Sequence, residues 1–332
     1  MTFLPPFAVL FPAFCHALRD PDPGYAREVT ALSDIGIPMS VVNLSALIAG
    51  DLDGAFRYFR SSNSNRAIFR GWILHPQEYR LLYSELLKRA VELITDPDEY
   101  EAATLFPKSF PHISSEAVPA TWIDSSDPLL ALEAARRVGD PPYYIKDFAK
   151  SAKEIFPSGC LVSGDNLLEG MTKTIRELQD FRADRFEGGI VIRPFVKLRL
   201  IEENPFGGET FDEYRLFYFQ KTLISKSTYA RIGGDVTAIP DYPAVAQSID
   251  SPFFTIDVAV TEDFGARILE IGDGGSSALP PTVDPRSFWL SIVHIACERQ
   301  EWANQAPEPT IMTVTPRAPS STSRASHDRG SS

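Results

Sequence analysis

The sequence predicts an α/β region followed by an α+β region, and three observations lead to this fold class. Strand-like and helix-like segments alternate over the first 110 residues, which favours a parallel sheet covered by helices. Strand-like segments then crowd together between residues 188 and 275, which favours antiparallel pairing. The length of 332 residues indicates more than one core.

The first region, residues 1–110, begins with a strand, a helix and a second strand, and then has one more strand and two helices. Apolar runs mark the strands, and apolar residues at helical spacing mark the helices. Pro76 suits the first turn of one helix, and Asp98 and Glu99 suit the first turn of the next, where the helix dipole favours acids. The predicted strands are 7–14, 38–45 and 67–74, and the predicted helices are 23–36, 75–94 and 96–106.

The second region, residues 111–303, divides into lobes of about 111–190 and 191–303. It is rich in helices at first and then in strands, as expected of an α+β fold. The Ser-, Thr- and Pro-rich tail, residues 304–332, has little to bury and is predicted to be disordered. The predicted helices are 127–139, 165–186 and 287–303, and the predicted strands lie within 141–150, 188–201, 210–220, 221–232 and 252–275.

Composition excludes several classes of protein. A net charge of −12 argues against a general nucleic-acid surface, although a local basic pocket for a polyphosphate remains open. No apolar run is long enough for a membrane helix. The three cysteines are far apart and match no zinc or disulfide spacing, which predicts a cytoplasmic protein.

Two acidic residues, Asp257 and Glu270, lie inside apolar sequence typical of a β-hairpin. A loop at 262–265 would pair Thr261 with Ala266 and, counting outward, Asp257 with Glu270. Directly opposed side chains share a face, with Cβ atoms about 5 Å apart, and like charges there repel unless a positive group lies between them.

A divalent metal is one candidate for that positive group, because hard carboxylate oxygens suit Mg²⁺. Asp273, in a Gly-rich turn just beyond the hairpin, could add a third ligand. Two alternatives stay open. One acid could point to solvent, or a Lys or Arg could neutralise the pair.

Cationic residues at strand ends are the second chemical signal. Lys146 ends an apolar strand, and Lys150 and Ser151 follow in a turn that could hold phosphate oxygens. Arg193 lies within an apolar run and therefore needs an anionic partner, either a structural carboxylate or a ligand phosphate. Pro194 cannot donate to a ladder, so the strand is expected to end or bend there. The alternatives are an ordinary surface turn and an ordinary sheet edge.

Strand 211–220 alternates cleanly and places Glu213 and Arg215 on one face, where they could form a structural ion pair. Together with the hairpin acids, these residues form a set suited to Mg²⁺ and a polyphosphate, because cations and metal neutralise the charge that develops in phosphoryl transfer. The sequence contains no GxxxxGK[ST] loop, no GxGxxG after a strand and no GxSxG.

The ordered motifs resemble those of ATP-grasp proteins, and more narrowly the clade named for two arginines and one lysine. The resemblance covers roughly residues 1–300, with the first region resembling a pre-ATP-grasp domain. The motifs that carry it are RGWILHPQEYRLLYSEL, ITDPDEYEAA, YYIKDFAKS, IVIRPFV, EYRLFYF, FFTIDVAV and ILEIGDGGSSALP.

The resemblance implies an ATP-grasp fold in which two α+β lobes clamp ATP. Arg193 and Arg215 would be the catalytic residues, and Asp257 and Glu270 would hold Mg²⁺, with Asp273 standing where many relatives carry Asn. Backbone groups near Pro194 would contact adenine. The nucleotide site implied in full is Lys146, Lys150, Ser151, Arg193, Pro194, Phe195, Val196, Glu213 and Arg215.

The usual reaction of the family is ATP-dependent ligation of a carboxylate to an amine or thiol through an acyl phosphate. The partners implied are ATP, a carboxylate and an amine acceptor, with an amino acid, peptide or protein as the substrate classes considered. Two alternatives remain: an ATP-binding assembly chaperone and a kinase that uses the same ATP site. Arg70 and Trp72 could line the substrate side of the cleft. We expect Arg70 to contact an anionic substrate group, whereas for Trp72 packing in the core is the favoured alternative.

Overall fold

The computed structural model of this protein describes residues 6–62, 64–203, 209–229 and 234–305. The strands in this part of the chain form a five-stranded sheet, two four-stranded sheets and a two-stranded ribbon. Helices cover the sheets, so the mixed α/β and α+β composition predicted from the sequence is confirmed. No helix within the described ranges combines the length and the apolar character needed to cross a membrane.

The first sheet contains the parallel pairing that the strand and helix alternation predicted. β1 pairs in parallel with β3 and β4, β4 pairs in parallel with β5, and β2 adds an antiparallel edge. β1 is buried along almost its whole length, as expected of a parallel strand with both faces covered. The strands are β1 (Ala8–Phe14), β2 (Ala17–Pro21), β3 (Met39–Val42), β4 (Arg66–Phe69) and β5 (Glu92–Leu93).

Six helices accompany this sheet. The fifth helix begins with a capping box, in which the Asp96 side chain accepts from the Glu99 amide and the Glu99 side chain accepts from the Asp96 amide. The helices are α1 (Ala26–Asp34), α2 (Leu44–Ile48), α3 (Leu52–Phe56), α4 (Pro76–Leu87), α5 (Pro97–Thr104) and α6 (Phe106–Ile113).

Two predicted elements of the first region end well before the residue that the sequence suggested. The helix predicted to reach residue 94 ends at Leu87, because the chain reverses at Ala90, which has a left-handed φ of 59°, and then forms β5. The strand predicted to reach residue 74 ends at Phe69. Beyond it, the amide of Gly71 donates to the carbonyl of Gly275, so the backbone there is bound to a distant loop instead of a neighbouring strand.

The second sheet has the antiparallel order β6-β9-β7-β8 and packs against two helices. Ile145, Ile190 and Ile192 meet Met171 and Leu178 in its buried core. Its elements are β6 (Thr121–Ile123), α7 (Pro128–Ala135), β7 (Tyr143–Lys146), β8 (Leu161–Val162), α8 (Leu167–Arg182) and β9 (Ile190–Pro194).

The third sheet has the antiparallel order β13-β12-β14-β15. One face forms a core with α6 and α9, whereas the far end of the other face packs Phe217 and Phe253 against Phe7 and Trp289. Its elements and those that follow the second sheet are the ribbon β10 (Leu200–Glu203) and β11 (Glu209–Phe211), then β12 (Glu213–Phe219), β13 (Thr222–Thr228), α9 (Pro243–Ser248), β14 (Phe253–Thr261), β15 (Gly265–Asp273) and α10 (Pro285–Gln305).

The cores cross the boundary predicted near residue 110. Ala103 of α5 and Ile113 of α6 share a core with Ile268 of β15, and Phe7 shares another with Trp289 of α10. The boundaries at 110 and 190 stay predictions. Residues 306–332, most of the tail predicted to be disordered, lie outside the described residues.

Candidate active site

The hairpin of β14 and β15 places Asp257 directly opposite Glu270, as predicted. The turn that leads to this pairing differs from the prediction, because Thr261 pairs with Gly265 and not with Ala266. An irregularity between Asp257 and Val258 restores the predicted register, with Leu269 as the extra residue on β15. The two carboxylates therefore share one face of the third sheet.

Each of these carboxylates is neutralised by a cation from another strand. Arg215 of β12 lies directly opposite Asp257 and donates to both of its oxygens, from Nε at 2.8 Å and from Nη2 at 2.6 Å. Lys146 at the end of β7 donates from Nζ to Oε2 of Glu270 at 2.6 Å. Neutralisation by Lys or Arg was one of the alternatives left open by the sequence. The predicted ion pair between Glu213 and Arg215 is wrong, since Asp257 takes the guanidinium.

The arrangement of charges shifts the pKa values of two carboxyl groups on this face, Glu270 and Glu213. Desolvation acts to raise the pKa of Glu270, but the charge and hydrogen bond of Lys146, helped by Arg193 and Arg215, outweigh it and lower the pKa to about 2. Burial raises the pKa of Glu213, Lys153 opposes that shift, and the nearby hairpin acids add to it. Glu270 is therefore a firmly ionised carboxylate at neutral pH.

Arg193 lies at the edge of the same charged face. It stands opposite Tyr144 in the β7–β9 pairing, with its guanidinium carbon 4.8 Å from the centre of the tyrosine ring. Its Nη1 donates to the carbonyl of Leu269, the extra residue of the hairpin, at 3.4 Å. Tyr144 was not predicted as a site residue. Its position two residues before Lys146 in β7, on the same face of an alternating strand, could have indicated it.

The strand ends at Pro194, as predicted. The next amide, of Phe195, donates to the carbonyl of Pro142 at 2.8 Å, so it is already used within the protein. An adenine contact through Pro194, Phe195 and Val196 therefore stays a prediction that depends on their other backbone groups.

The phosphate-binding residues predicted in and before the turn after β7 have different surroundings. Lys146 is buried and its Nζ lies 5.5 Å from the centre of the Phe106 ring. Burial raises the pKa of the Tyr144 hydroxyl to about 12, and the neighbouring Ser151 side chain opposes that shift. Lys150 is exposed and lines a cavity described below. The nucleotide contacts predicted for Lys150 and Ser151 stay predictions.

Two further side chains complete the charged face, and sequence analysis did not assign either of them. The ring of Tyr229 lies between two cations, with the guanidinium carbon of Arg215 at 4.6 Å and Nζ of Lys153 at 5.6 Å from its centre. The repeated lysines after β7 were a visible signal for Lys153. For Tyr229 the sequence offered none.

Asp147 shapes the turn itself and was also missed. It is fully buried, and its Oδ1 accepts from the amide of Ala149 at 2.8 Å and from the amide of Lys150. Its Oδ2 accepts from Nε of Arg182 at 2.8 Å. An Asp that binds amides two and three residues ahead is a common turn device, so its position directly after a strand was the available signal.

The third metal ligand predicted at Asp273 is wrong. Side chains alternate along β15, so a step of three residues from Glu270 sends Asp273 to the opposite face of the sheet. There it is buried, its carboxylate accepts from the amide of Ser276 at 2.8 Å, and burial raises its pKa to about 7. Within the described ranges, no group of three or more His, Cys, Asp or Glu side chains lies close enough together to hold a metal ion.

Arg70 has a structural role in place of the predicted substrate contact. It is 1% exposed and forms a double hydrogen bond with Glu28, with both distances 2.8 Å. Its Nη1 donates to the carbonyls of Gly275 at 2.9 Å and Ser277 at 2.6 Å. Its donors are therefore used to attach the loop after β15 to the first region.

Trp72 differs from the favoured one of its two predicted positions. It was expected to pack in the core, but 39% of its surface is exposed. It lines a cavity of about 550 Å³ between the first region, the second sheet and the loop after β15. The chain passes outward after Gly71, which places the indole at the wall of this cavity.

Comparisons with known proteins agree with this architecture. Residues 137–292 match the model of an ATP-grasp domain, family 3 of the clade named for two arginines and one lysine. No curated protein matches this chain in sequence. Solved structures share the fold, among them the three that follow, and their sequence identities of 10–15% show the fold alone.

The D-alanine-D-alanine ligase from Coxiella burnetii has a TM-score of 0.56 and 10% identity, over 90% of this chain and 97% of that chain. A RimK domain protein ATP-grasp from Sphaerobacter thermophilus DSM 20745 has a TM-score of 0.54 and 11% identity, over 87% and 100%. The D-cycloserine synthetase DcsG has a TM-score of 0.53 and 15% identity, over 87% and 99%. The solved structures thus show the fold over most of the chain, and the family match identifies residues 137–292 as an ATP-grasp domain of the clade named for two arginines and one lysine.

Proposed function

We propose that this protein is an ATP- and Mg²⁺-dependent ligase that joins a carboxylate to an amine or thiol and releases ADP and phosphate. The observation that carries the proposal is that two ion pairs, Lys146 with Glu270 and Arg215 with Asp257, lie together at one face of the third sheet. Named ligases and synthetases are among the proteins that share the fold, which supports the same reaction class.

The charges of this face suit a nucleotide with its metal. Two opposed carboxylates supply the hard oxygen ligands that Mg²⁺ prefers, and Asp257 and Glu270 are the residues that would hold it. Bound there, Mg²⁺ would supply charge neutralisation for the phosphates. Lys146 and Arg215 balance the two acids in this structure, and Arg193 and Lys153 add positive charge that a polyphosphate would neutralise.

The cations have distinct tasks in the proposed reaction. A carboxylate oxygen of the substrate attacks the γ-phosphorus, the bond to the β–γ bridging oxygen breaks, and ADP leaves. Lys146 would hold phosphate oxygens in place, and Arg193 and Arg215 would neutralise the charge that develops on the transferred group.

In the second step, the amine or thiol attacks the carbonyl carbon of the acyl phosphate, the carbon–oxygen bond to phosphate breaks, and the amine or thiol loses its proton. No protein nucleophile is needed, so positioning and charge neutralisation account for the catalysis. We propose an amino acid or a peptide as the substrate class.

The first test is a calorimetric titration of a non-hydrolysable ATP analogue, AMPPNP, with and without Mg²⁺. We expect Mg²⁺-dependent binding by the wild type and at least a tenfold loss in Glu270→Gln, because a neutral amide replaces a metal-binding carboxylate. Glu177→Gln, on the surface of α8, is the matched control and should bind like the wild type. Mg²⁺-independent binding, or equal binding by Glu270→Gln, would contradict the proposed metal site.

Turnover separates ligation from the alternatives. ADP and phosphate release that depends on an added carboxylate and amine would support the ligase. A stable phosphorylated product would indicate a kinase, and a single stoichiometric protein partner with bound ATP and no turnover would indicate an assembly chaperone.

A further inference from the structure

The cavity lined by Trp72 adjoins the charged face but is separated from it by one loop. Arg215 donates from Nη1 to the carbonyl of Ala278 at 2.9 Å, and Ala278 and Leu279 line the cavity on the other side of that loop. The turn that carries Lys146 also reaches the cavity through Lys150, whose amide is fixed by Asp147. A small molecule in the cavity would thus lie beside the proposed phosphate site.

Most of the charged groups around the cavity are already neutralised. Three ion pairs join side chains on its wall or just behind it: Arg70 with Glu28, Arg182 with Asp147 and Arg185 with Glu78. A fourth contact joins His75 to Glu187 and is an ion pair when the imidazole is protonated. Burial lowers the pKa of His75, but its hydrogen bonds to Glu187 and to the Asp184 carbonyl outweigh that effect and raise it above the usual value. These pairs leave little net charge for a ligand.

Three charged residues of the cavity wall remain outside those pairs, and the sum of their charges is positive. Lys150 is exposed and its ammonium forms no ion pair with any described residue. Arg27 donates from Nη2 to the carbonyl of Val283 at 2.7 Å and likewise forms no ion pair within the described ranges. Asp22 accepts from the amide of Gly24 as a helix cap. Two cations and one acid leave a net positive charge among these three residues, which favours an anionic ligand.

The wall also offers a non-polar surface. Trp72, a partly exposed residue, lines it beside Ile73 and Leu279. An indole provides a large apolar face at low entropic cost, and binding sites commonly use it. The volume of about 550 Å³ lies in the range of pockets that enclose one small organic molecule.

We propose that this cavity binds the acid substrate, and that this acid is a small carboxylate with a non-polar or aromatic group. Lys150 contacts the carboxylate and Trp72 contacts the non-polar group. The inference rests on the proposed ligase function and adds to it the substrate class and two specificity-determining residues. In this proposal Lys150 binds the acid substrate and does not bind the nucleotide.

The test measures binding of three carboxylates, 3-phenylpropanoate, hexanoate and phenylalanine, in the presence of AMPPNP and Mg²⁺, with 2-phenylethylamine as the amine counterpart. Calorimetry and ligand-detected NMR report affinity without turnover. We expect at least one carboxylate to bind the wild type and the amine not to bind. Trp72→Ala and Lys150→Met should each weaken that binding at least tenfold.

Matched controls are Phe264→Ala, which removes an exposed aromatic ring from the β14–β15 turn, and Lys173→Met, which removes an exposed lysine of α8. Both should bind the acid like the wild type. Thermal unfolding of all four variants checks that each is folded.

The outcomes separate this inference from the proposed function. Acid binding lost in the two cavity variants, with AMPPNP binding retained, supports the inference. Acid binding unchanged in both variants, preferred binding of the amine, or no binding of any carboxylate overturns it while leaving the nucleotide site intact. Loss of AMPPNP binding in Lys150→Met alone assigns that lysine to the nucleotide and also overturns it. A wild type that binds no AMPPNP overturns the proposed function itself.

Discussion

Arg215 and Asp257 form a nearly buried ion pair, with 8% and 14% of their side chains exposed. Such pairs add little net stability, because removing two charges from water costs about as much as their attraction returns. Apolar side chains would fill this sheet face at least as well, as Phe217 and Phe253 do at its other end. The presence of charges is therefore better explained by a ligand that they bind, which is the role proposed above.

Asp273 makes stability depend on pH. Burial raises its pKa from 3.8 to about 7, so the folded protein holds a proton that the unfolded chain releases at lower pH. Its contribution is fully present below about pH 4 and is lost as pH rises to about 7. The loss is at most roughly 4 kcal/mol, from three pKa units at about 1.4 kcal/mol each.

Asp273→Asn should remove this dependence. The difference in unfolding free energy between wild type and variant should shift in favour of the variant from pH 4 to pH 8, as measured by urea denaturation. Asp263→Asn, in the exposed turn of the same hairpin, controls for the loss of one carboxylate. Parallel pH profiles for the wild type and Asp273→Asn would show that the carboxyl titrates normally.

Among the elements, the turn after β7 depends on one buried carboxylate. Asp147 joins the turn to α8 through Arg182, whose side chain is 13% exposed. Asp147→Asn leaves that guanidinium without its anion, and breaking a buried pair typically costs about 3–5 kcal/mol. We expect a loss of this size in unfolding free energy, together with weaker AMPPNP binding, because Lys146 precedes the turn.

A double-variant cycle tests the coupling. Asp147→Asn combined with Arg182→Met should be more stable than Asp147→Asn alone, since no unpaired charge remains. Strictly additive losses would show that the two side chains do not depend on each other.

The elements also show how far the sequence alone determined the site. Alternation along β12 and β14 predicted which charged residues share a face, and the pairing of Asp257 with Glu270 is confirmed. The partners of these acids were not predictable, because Lys146 comes from another sheet and no local pattern encodes that approach. Proximity in sequence suggested that Asp273 lies beside Glu270, but the alternation of side chains along β15 places it on the opposite face.

At the scale of the whole molecule, Arg70 joins distant parts of the chain. It binds Glu28 of α1 and the loop that follows β15, and the same loop contacts Arg215 through Ala278. The first region, the cavity wall and the charged face are therefore mechanically connected. The shared core of Phe7 and Trp289 has the same effect.

Arg70→Lys tests this connection. A lysine cannot reproduce the paired hydrogen bonds to Glu28 together with the carbonyl contacts, so we expect a loss of about 3 kcal/mol or more in unfolding free energy. Arg80→Lys is the matched control, because its pairs with Asp98 and Glu101 lie at the surface, and it should change stability by less than about 1 kcal/mol. Equal effects of the two substitutions would show that Arg70 contributes no more than a surface arginine.

The extra residue in β15 determines which side chains of the hairpin lie on the charged face. From the observed turn, a regular ladder would bring Leu269 opposite Asp257 and would turn Glu270 toward the apolar core beside Ile256. A leucine with no chemistry of its own thus decides whether the face has one carboxylate or two. The charge that this site can offer to a metal therefore depends on which face of β15 carries residue 270, and not only on the presence of Glu270 in the sequence.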